Sequence, residues 1–291
     1  MFEDEDDDLP VAERDTFVPV MPHTTYRPGR HEAGWLEEAL LPWFEDETLI
    51  DLLFCVRGGK EATVYACRGG PGLDGQLVAA KVYRPRRFRE LSNDALYREG
   101  RRLLDDRGHG VRRQDRRMGR AVRRGTRIGK KAAHISWLQH EVSALQTLHE
   151  AGAPVPTPLG ANRRAVLMSF VGDERGAAPT LDGLRPGPEL AASLYAEALQ
   201  CLEILLECGL VHGDLSPYNL LVWEDRLTMI DLPQAVPLYE NPYAAELFRR
   251  DVARICTSRA LGRPGPDPER VADRMWNDVF GTDTGVPLRM M

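Results

Sequence analysis

The stretch from Leu210 to Gln234 constrains this chain more than any other. His212-Gly213-Asp214 is followed by Asn219, five residues after the aspartate. A short apolar run, Leu220 to Trp223, then meets a polar turn at Glu224-Asp225, and a second run, Leu227 to Ile230, ends on Asp231. Two runs of strand length about a polar turn predict a β-hairpin. Such a hairpin returns Asp231 to the side of Asn219. One loop carboxylate, an amide and a second carboxylate brought back beside it are what phosphoryl transfer requires. The first orients or deprotonates the acceptor, and the other two hold Mg²⁺ against the phosphates. On this reading Asp214 is the base, and Asn219 and Asp231 are the metal ligands. The alternative is a loop whose Asp and Asn side chains merely cap turns. It accounts for any one of the three residues more easily than for all three at this spacing.

The chain's 291 residues, 43% of them hydrophobic, suffice for one two-lobed enzyme or two small domains. No apolar run approaches the ~18 residues of a membrane span. The acidic start, Glu3 to Asp8, is unlike a secretory leader. Five cysteines, odd in number and without metal-ligand spacing, fit buried thiols in a reducing compartment, so a cytoplasmic protein with no membrane partner is expected. Charge is unevenly spread. Residues 86–131 carry 17 Lys and Arg against 6 Asp and Glu, in a chain whose net charge is −6. Only four of the 38 basic residues are lysines: Lys60, Lys81, Lys130 and Lys131. A chain that writes Arg elsewhere keeps Lys where a compact ammonium matters.

Residues 1–33 read as a disordered acidic tail. Trp35, Leu36, Leu40, Trp43 and Phe44 stand at roughly helical spacing, predicting an amphipathic helix over 34–48 that packs on the body. Strands are expected at 49–56, 64–68 and 77–83. Between the first two, Gly58-Gly59-Lys60-Glu61-Ala62-Thr63-Val64 forms a Gly-containing turn. There backbone N–H groups can approach phosphates, although taken in isolation an ordinary hairpin turn is the better reading. Val78-Ala79-Ala80-Lys81-Val82-Tyr83 sets one Lys in an apolar strand, where an unpaired ammonium is costly. A helix from His134 to Ala151 has Leu138, Val142, Leu145 and Leu148 on one stripe, with Glu141 beside it. Pairing Lys81 with Glu141 resolves both problems. Residues 86–131 predict a helix around 93–105 and then a mobile loop, either a solvated charged insertion or a platform for RNA phosphates or a phosphorylated partner. After Pro154, Pro156 and Pro158, a strand from Ala165 to Gly172 ends at an expected hinge. Its residues Met168, Ser169, Phe170 and Val171 would receive adenine. Helices follow at 188–208, 241–260 and 267–280.

The catalytic stretch resembles the kinase loop H-R-D-x-x-x-x-N and the metal-binding Asp of D-F-G, with Gly213 for the Arg and Asp231-Leu232-Pro233 for D-F-G. His-Gly-Asp is common to RIO kinases and to aminoglycoside- and choline-type phosphotransferases. Gly59-Lys60-Glu61-Ala62-Thr63-Val64-Tyr65 resembles the G-K-E-[SA]-x-V-Y loop of RIO kinases. Ile230-Asp231-Leu232-Pro233-Gln234-Ala235-Val236 is similar to their I-D-x-x-Q-x-V metal loop. The likeness runs from about residue 50 to 260, and is nearest to the branch without an N-terminal winged helix. It implies an α+β, two-lobed protein-kinase-like fold with a β-rich N-lobe and a mainly helical, truncated C-lobe. The N-terminal ATP-binding lobe would be 34–171, with the basic insertion 86–131, and the catalytic lobe 172–291. It also implies roles. Lys81 would hold the α/β-phosphates, paired with Glu141. Gly58, Gly59, Lys60, Glu61, Ala62 and Val64 would cover the phosphates. Asp214 would be the catalytic Asp, and Asn219 and Asp231 would bind Mg²⁺, or Mn²⁺ in its place. Asp231 would also be a candidate aspartyl-phosphate.

A Mg²⁺-ATP-dependent serine/threonine kinase or ATPase of RIO type is therefore expected, with an unidentified protein substrate and autophosphorylation. Two other readings differ in what they require. A small-molecule phosphotransferase would want a large acidic substrate pocket, for which the 60 residues after Asp231 leave little room. An ATP-gated binder of RNA or ribosomes would use the basic stretch, with turnover as its switch.

Overall fold

The computed structural model describes residues 24–59, 61–84, 103–104, 110, 116–261 and 266–280. Of the expected disordered tail 1–33, residues 1–23 lie outside the described residues, as do Lys60 and most of the basic insertion. Residues 24–33 are instead ordered, with the Tyr26 N–H donating to the Leu52 carbonyl at 2.7 Å and a helix beginning at Arg30. The N-terminal lobe is built on five antiparallel strands: β1 (Leu49–Gly58), β2 (Ala62–Gly69), β3 (Leu77–Tyr83), β4 (Pro158–Ala161) and β5 (Ala165–Ser169). They lie in the order β1-β2-β3-β5-β4. Of these, β4 was not foreseen in the proline-rich stretch. It is an edge strand that opens on Pro158, a place where a missing N–H costs no ladder bond.

The period of 2 along the strands sorts the side chains. Tyr65, Cys67, Val78, Ala80, Val82, Ala165 and Leu167 point to one face and are buried against α1 (Arg30–Glu45), whose Leu36, Ala39 and Leu40 are fully buried. Each buried Leu contributes about 1.5–3 kcal/mol. The helix expected over 34–48 thus starts earlier and docks on the lobe as foreseen. Glu32 fixes its entry, accepting from the Tyr26 hydroxyl at 3.0 Å and from the buried Tyr65 hydroxyl. The opposite face of the sheet carries Ala62, Tyr83 and Val166 and joins a second core running into the C-terminal lobe.

The region around 116–131 is not the loop expected there. Helix α2 (Arg116–Arg123) and helix α3 (Arg127–Glu150) form a hairpin. Thr126 caps α3 by accepting from the Gly129 N–H at 3.2 Å. Gly129 is required at the crossing, because a Cβ there would sit 2.0 Å from the Ala121 carbonyl oxygen. Leu104 and Gly110 form an isolated antiparallel bridge, so the helix predicted to run to 105 does not include Leu104.

The C-terminal lobe contains α4 (Pro188–Glu207), α5 (Ala244–Cys256) and α6 (Pro268–Phe280). Four strands frame its loops: β8 (Leu210–Val211), β9 (Leu220–Trp223), β10 (Arg226–Met229) and β11 (Val236–Pro237). Strands β6 (Gly172–Asp173) and β7 (Gly176–Ala177) form a small hairpin after the hinge. A β-rich lobe over a helical one gives the two-lobed α+β architecture expected. All five cysteines are free thiols; Cys67, Cys201 and Cys256 are buried, but Cys55 is exposed on β1. No helix among the described residues is long and apolar enough to cross a membrane.

Candidate active site

The predicted hairpin exists: β9 pairs with β10 from Trp223↔Arg226 to Leu220↔Met229. The ladder continues one bond further, with the Ile230 N–H donating to the Asn219 carbonyl at 2.9 Å. Asp231 is therefore returned beside Asn219. Its φ is 68°, a left-handed conformation that costs a non-glycine residue and that clusters at functional sites.

The loop from β8 to β9 is held from several sides. Gly213 lies at φ 78°, in a buried position where a Cβ would be strained, which explains glycine within His-Gly-Asp. Its N–H donates to Asp251 Oδ2 at 2.8 Å, and the Leu215 N–H donates to Asp251 Oδ1 at 3.0 Å. The Gly213 carbonyl accepts from Arg250 Nη2. The fully buried His212 donates from Nε2 to the Ile230 carbonyl at 3.2 Å, and its Nδ1 accepts from the Asp214 N–H at 3.3 Å. One donor and one acceptor define the neutral tautomer, and burial pushes its pKa down. His212 thus ties the Asp214 loop to the strand that delivers Asp231. Asn219 Nδ2 donates to the Asp214 carbonyl at 2.9 Å, leaving the amide oxygen as its other end. The Asp214 carboxylate is paired with Arg254 of α5 at 2.6 Å.

Across the cleft, Lys81 on β3 sits opposite Val64 on β2 and Val166 on β5. Its Nζ contacts Glu141 Oε1 of α3 at 2.5 Å and Asp231 Oδ1 at 2.6 Å. The expected Lys81–Glu141 pair is present, and it extends to Asp231. Burial alone would lower the Lys81 pKa, but Asp231 and Glu141 outweigh it and hold the ammonium charged. Burial raises the Asp231 carboxyl, yet the adjacent Lys81, with Arg57, brings it below the usual carboxylate range. Its side chain stays 47% exposed toward the cleft. Tyr83 donates its hydroxyl to Glu141 Oε2, and burial with the Glu141 charge pushes that phenol well up, so it remains a donor.

The remaining predicted positions are less uniform. Gly58 and Gly59 close the β1–β2 turn, with the Gly59 N–H donating to the Ala62 carbonyl at 2.8 Å. Glu61 accepts at its carbonyl from the Arg84 N–H at 3.0 Å, and the Ala62 side chain is buried in the core rather than open to the cleft. Lys60 lies outside the described residues. At the hinge, the Ser169 N–H donates to Thr157 and the Phe170 N–H to Leu77, while the Val171 carbonyl accepts from Ala178. Those three groups are committed, so a purine edge would need other hinge atoms. Met168 faces the same side of the sheet as Lys81, in register with Ala79. Sequence reasoning missed Arg250, Asp251, Arg254, Tyr83 and the bridging role of His212. The signal for Asp251 was present: an acid among Phe248, Val252 and Ile255 on an apolar stripe.

The donor set can be tested against a divalent cation. Lys81 holds the Asp231 carboxyl below the usual carboxylate range, and Asn219, whose backbone carbonyl accepts from the Ile230 N–H, has its amide oxygen unused by the Nδ2 bond to Asp214. Among the described residues no three His, Cys, Asp or Glu converge as a metal site. Two hard oxygen donors, completed by phosphates and water, suit Mg²⁺, which is usually bound by one or two carboxylates plus substrate.

A family model described as RIO domain matches residues 96–263. The chain belongs to the RIO domain family. It is 32% identical over 228 residues to a RIO-type serine/threonine-protein kinase of Haloferax volcanii, covering 77% of this chain and 67% of that protein. It is 30% identical over 226 residues to the serine/threonine-protein kinase rio1 of Schizosaccharomyces pombe, covering 75% and 40%. A Caenorhabditis elegans serine/threonine-protein kinase of the same name is 31% identical over 225 residues, covering 75% and 39%. The RIO chain thus spans about two fifths of the length of its yeast and nematode relatives.

Proposed function

We propose that this RIO chain is an ATP-dependent phosphotransferase acting on serine or threonine hydroxyls, with ATP hydrolysis as a second output. The convergence of Lys81, Glu141 and Asp231, drawn from three distant parts of the chain onto one 2.5–2.6 Å cluster, carries the reading. Lys81, kept charged, binds the α/β-phosphates of ATP. Glu141 and Tyr83 hold Lys81 from behind. Asn219 and Asp231 are the residues that would hold Mg²⁺, which when bound neutralises phosphate charge as the γ-phosphoryl group departs. Asp214 orients the acceptor hydroxyl and takes its proton. The turn at Gly58–Ala62 covers the phosphates, and Met168 with the hinge receives adenine. Asp231 is also a nucleophile candidate, because its carboxylate is ionised and open to the cleft.

A second reading concerns a partner. Arg120, Arg124, Arg127, Lys130 and Lys131 are exposed on the α2–α3 hairpin, which supports docking to RNA phosphates, including ribosomal RNA, with ATP turnover as the switch.

The test is to incubate the pure chain with Mg²⁺ and γ-labelled ATP, then treat any labelled protein with acid, base and hydroxylamine. Acid-stable label indicates Ser/Thr transfer, and Asp214→Ala should reduce it at least about 100-fold while sparing ATP binding. Hydroxylamine-labile label lost in Asp231→Asn indicates an aspartyl-phosphate. No label and no ATP hydrolysis, with ATP still bound, would sink the reading in favour of a small-molecule acceptor.

A further inference from the structure

One contact from α5 to the catalytic loop is not needed to fold that loop. Arg250 and Asp251 hold its backbone, at the Gly213 carbonyl and at the Gly213 and Leu215 N–H groups. Arg254, one turn further on, reaches a side chain instead, with Nη1 donating to Asp214 Oδ1 at 2.6 Å. Both partners are partly open to solvent, at 38% and 47%. Among the described residues no other side chain bonds the Asp214 carboxylate, since Asn219 reaches only its backbone carbonyl. A half-exposed Asp held by nothing else would sample several rotamers, and a guanidinium is a rigid anchor for a carboxylate.

We propose that Arg254 is a positioning residue for the acceptor step: it anchors Oδ1 of Asp214 and so leaves Oδ2 aimed at the incoming hydroxyl. The proposal rests on the phosphotransfer reading above and makes a distinction within it. In transfer to a Ser or Thr, the acceptor Oγ bonds to the γ-phosphorus. The bond from that phosphorus to the β–γ bridging oxygen breaks, its electron pair leaving with ADP, and the hydroxyl proton passes to Asp214 Oδ2. In transfer to Asp231 the attacking oxygen is already anionic and no proton moves. Arg254 is needed for the first reaction and not for the second.

The experiment compares the full chain with Arg254→Ala and Arg254→Lys, using Mg²⁺, γ-labelled ATP and dephosphorylated casein as hydroxyl acceptor. Acid-stable and hydroxylamine-labile label are counted separately. In Arg254→Ala, kcat for acid-stable label should fall about 10- to 100-fold. The KM for ATP should stay within about twofold, because the Lys81 cluster is untouched. Tm should change by no more than about 3 °C, as a partly exposed ion pair contributes little. Arg254→Lys should recover part of the loss, and labile label on Asp231 should form at the wild-type rate. If wild type forms labile label alone, ATP turnover replaces the acid-stable count, since its attacking water must also lose a proton. Equal loss of both labels, a KM that rises as kcat falls, no rescue by Lys, or unchanged kcat would each overturn the role. A wild-type chain that makes neither label and hydrolyses no ATP would remove the phosphotransfer reading, and this role with it. Transfer by wild type matched by both variants would remove this role alone.

Discussion

Asp251 is fully buried beneath the catalytic loop, and both its oxygens accept backbone N–H groups. Burial pushes its carboxyl up to about 7, against the opposing pull of the Gly213 N–H, Arg250 and Arg254. An unfolded Asp titrates near about 3.9. Between those values the folded chain keeps a proton that the unfolded chain has released. The contribution to stability is then fully present below about pH 4 and lost as pH rises through about 7. The slope should reach at most about 1.4 kcal/mol per pH unit. Asp251→Asn has no group to titrate there, so urea unfolding of wild type and variant at about pH 5 and pH 7 should show a difference that changes with pH. A constant difference would mean that Asp251 is ionised throughout that range. Glu141 was legible in the sequence by the same logic, as an acid beside an apolar stripe that needs a partner. Arg254 was not. It is a half-buried position at the edge of the helix, and its partner lies 40 residues away in a loop whose side-chain direction no pattern encodes.

Elements were legible where periodicity spoke and illegible where capping or tertiary fit decided. Strand β3 falls where its apolar run predicts, and β9 and β10 follow from their polar turn. Helix α3 begins seven residues before the expected start, because Thr126 supplies a cap and Gly129 lets α2 cross closely, and neither is an apolar signal. The hairpin turn itself is not optimal. Glu224 and Asp225 both adopt left-handed backbone, φ 49° and 59°, as a two-residue turn matched to strand twist requires. Replacing them with Asn-Gly should relieve that strain and stabilise the chain by roughly 1 kcal/mol. Calorimetry should show Tm raised by about 2–4 °C with no loss of phosphotransfer. An unchanged or lowered Tm would show that the Glu224 and Asp225 side chains make compensating contacts.

At the scale of the molecule, α3 links two regions that the sequence presents as unrelated. Its first turns carry exposed Arg127, Lys130 and Lys131, and its middle carries Glu141, the partner of Lys81. At 24 residues it is about 36 Å long and rigid enough to transmit a tilt. If RNA docks on the α2–α3 hairpin, binding shifts the helix that seats Glu141, and ATP binding shifts the helix that presents the cations. Such coupling is reciprocal by linkage: the factor by which a non-hydrolysable ATP analogue changes RNA affinity must equal the factor by which RNA changes analogue affinity. We expect about fivefold or more in each direction. The RNA affinity should fall steeply with salt, and Lys130→Ser with Lys131→Ser should reduce the slope of log K against log salt by about 1.4 for a single strand. Glu141→Gln should leave that slope intact and abolish the coupling, bringing both factors to about one, because it cuts the link at Lys81 and not at the cations. RNA binding with the predicted slope but no coupling would make the basic hairpin an independent anchor. Coupling that survives Glu141→Gln would place the link in another part of the fold, such as the Tyr83 contact with Trp137 on the same helix.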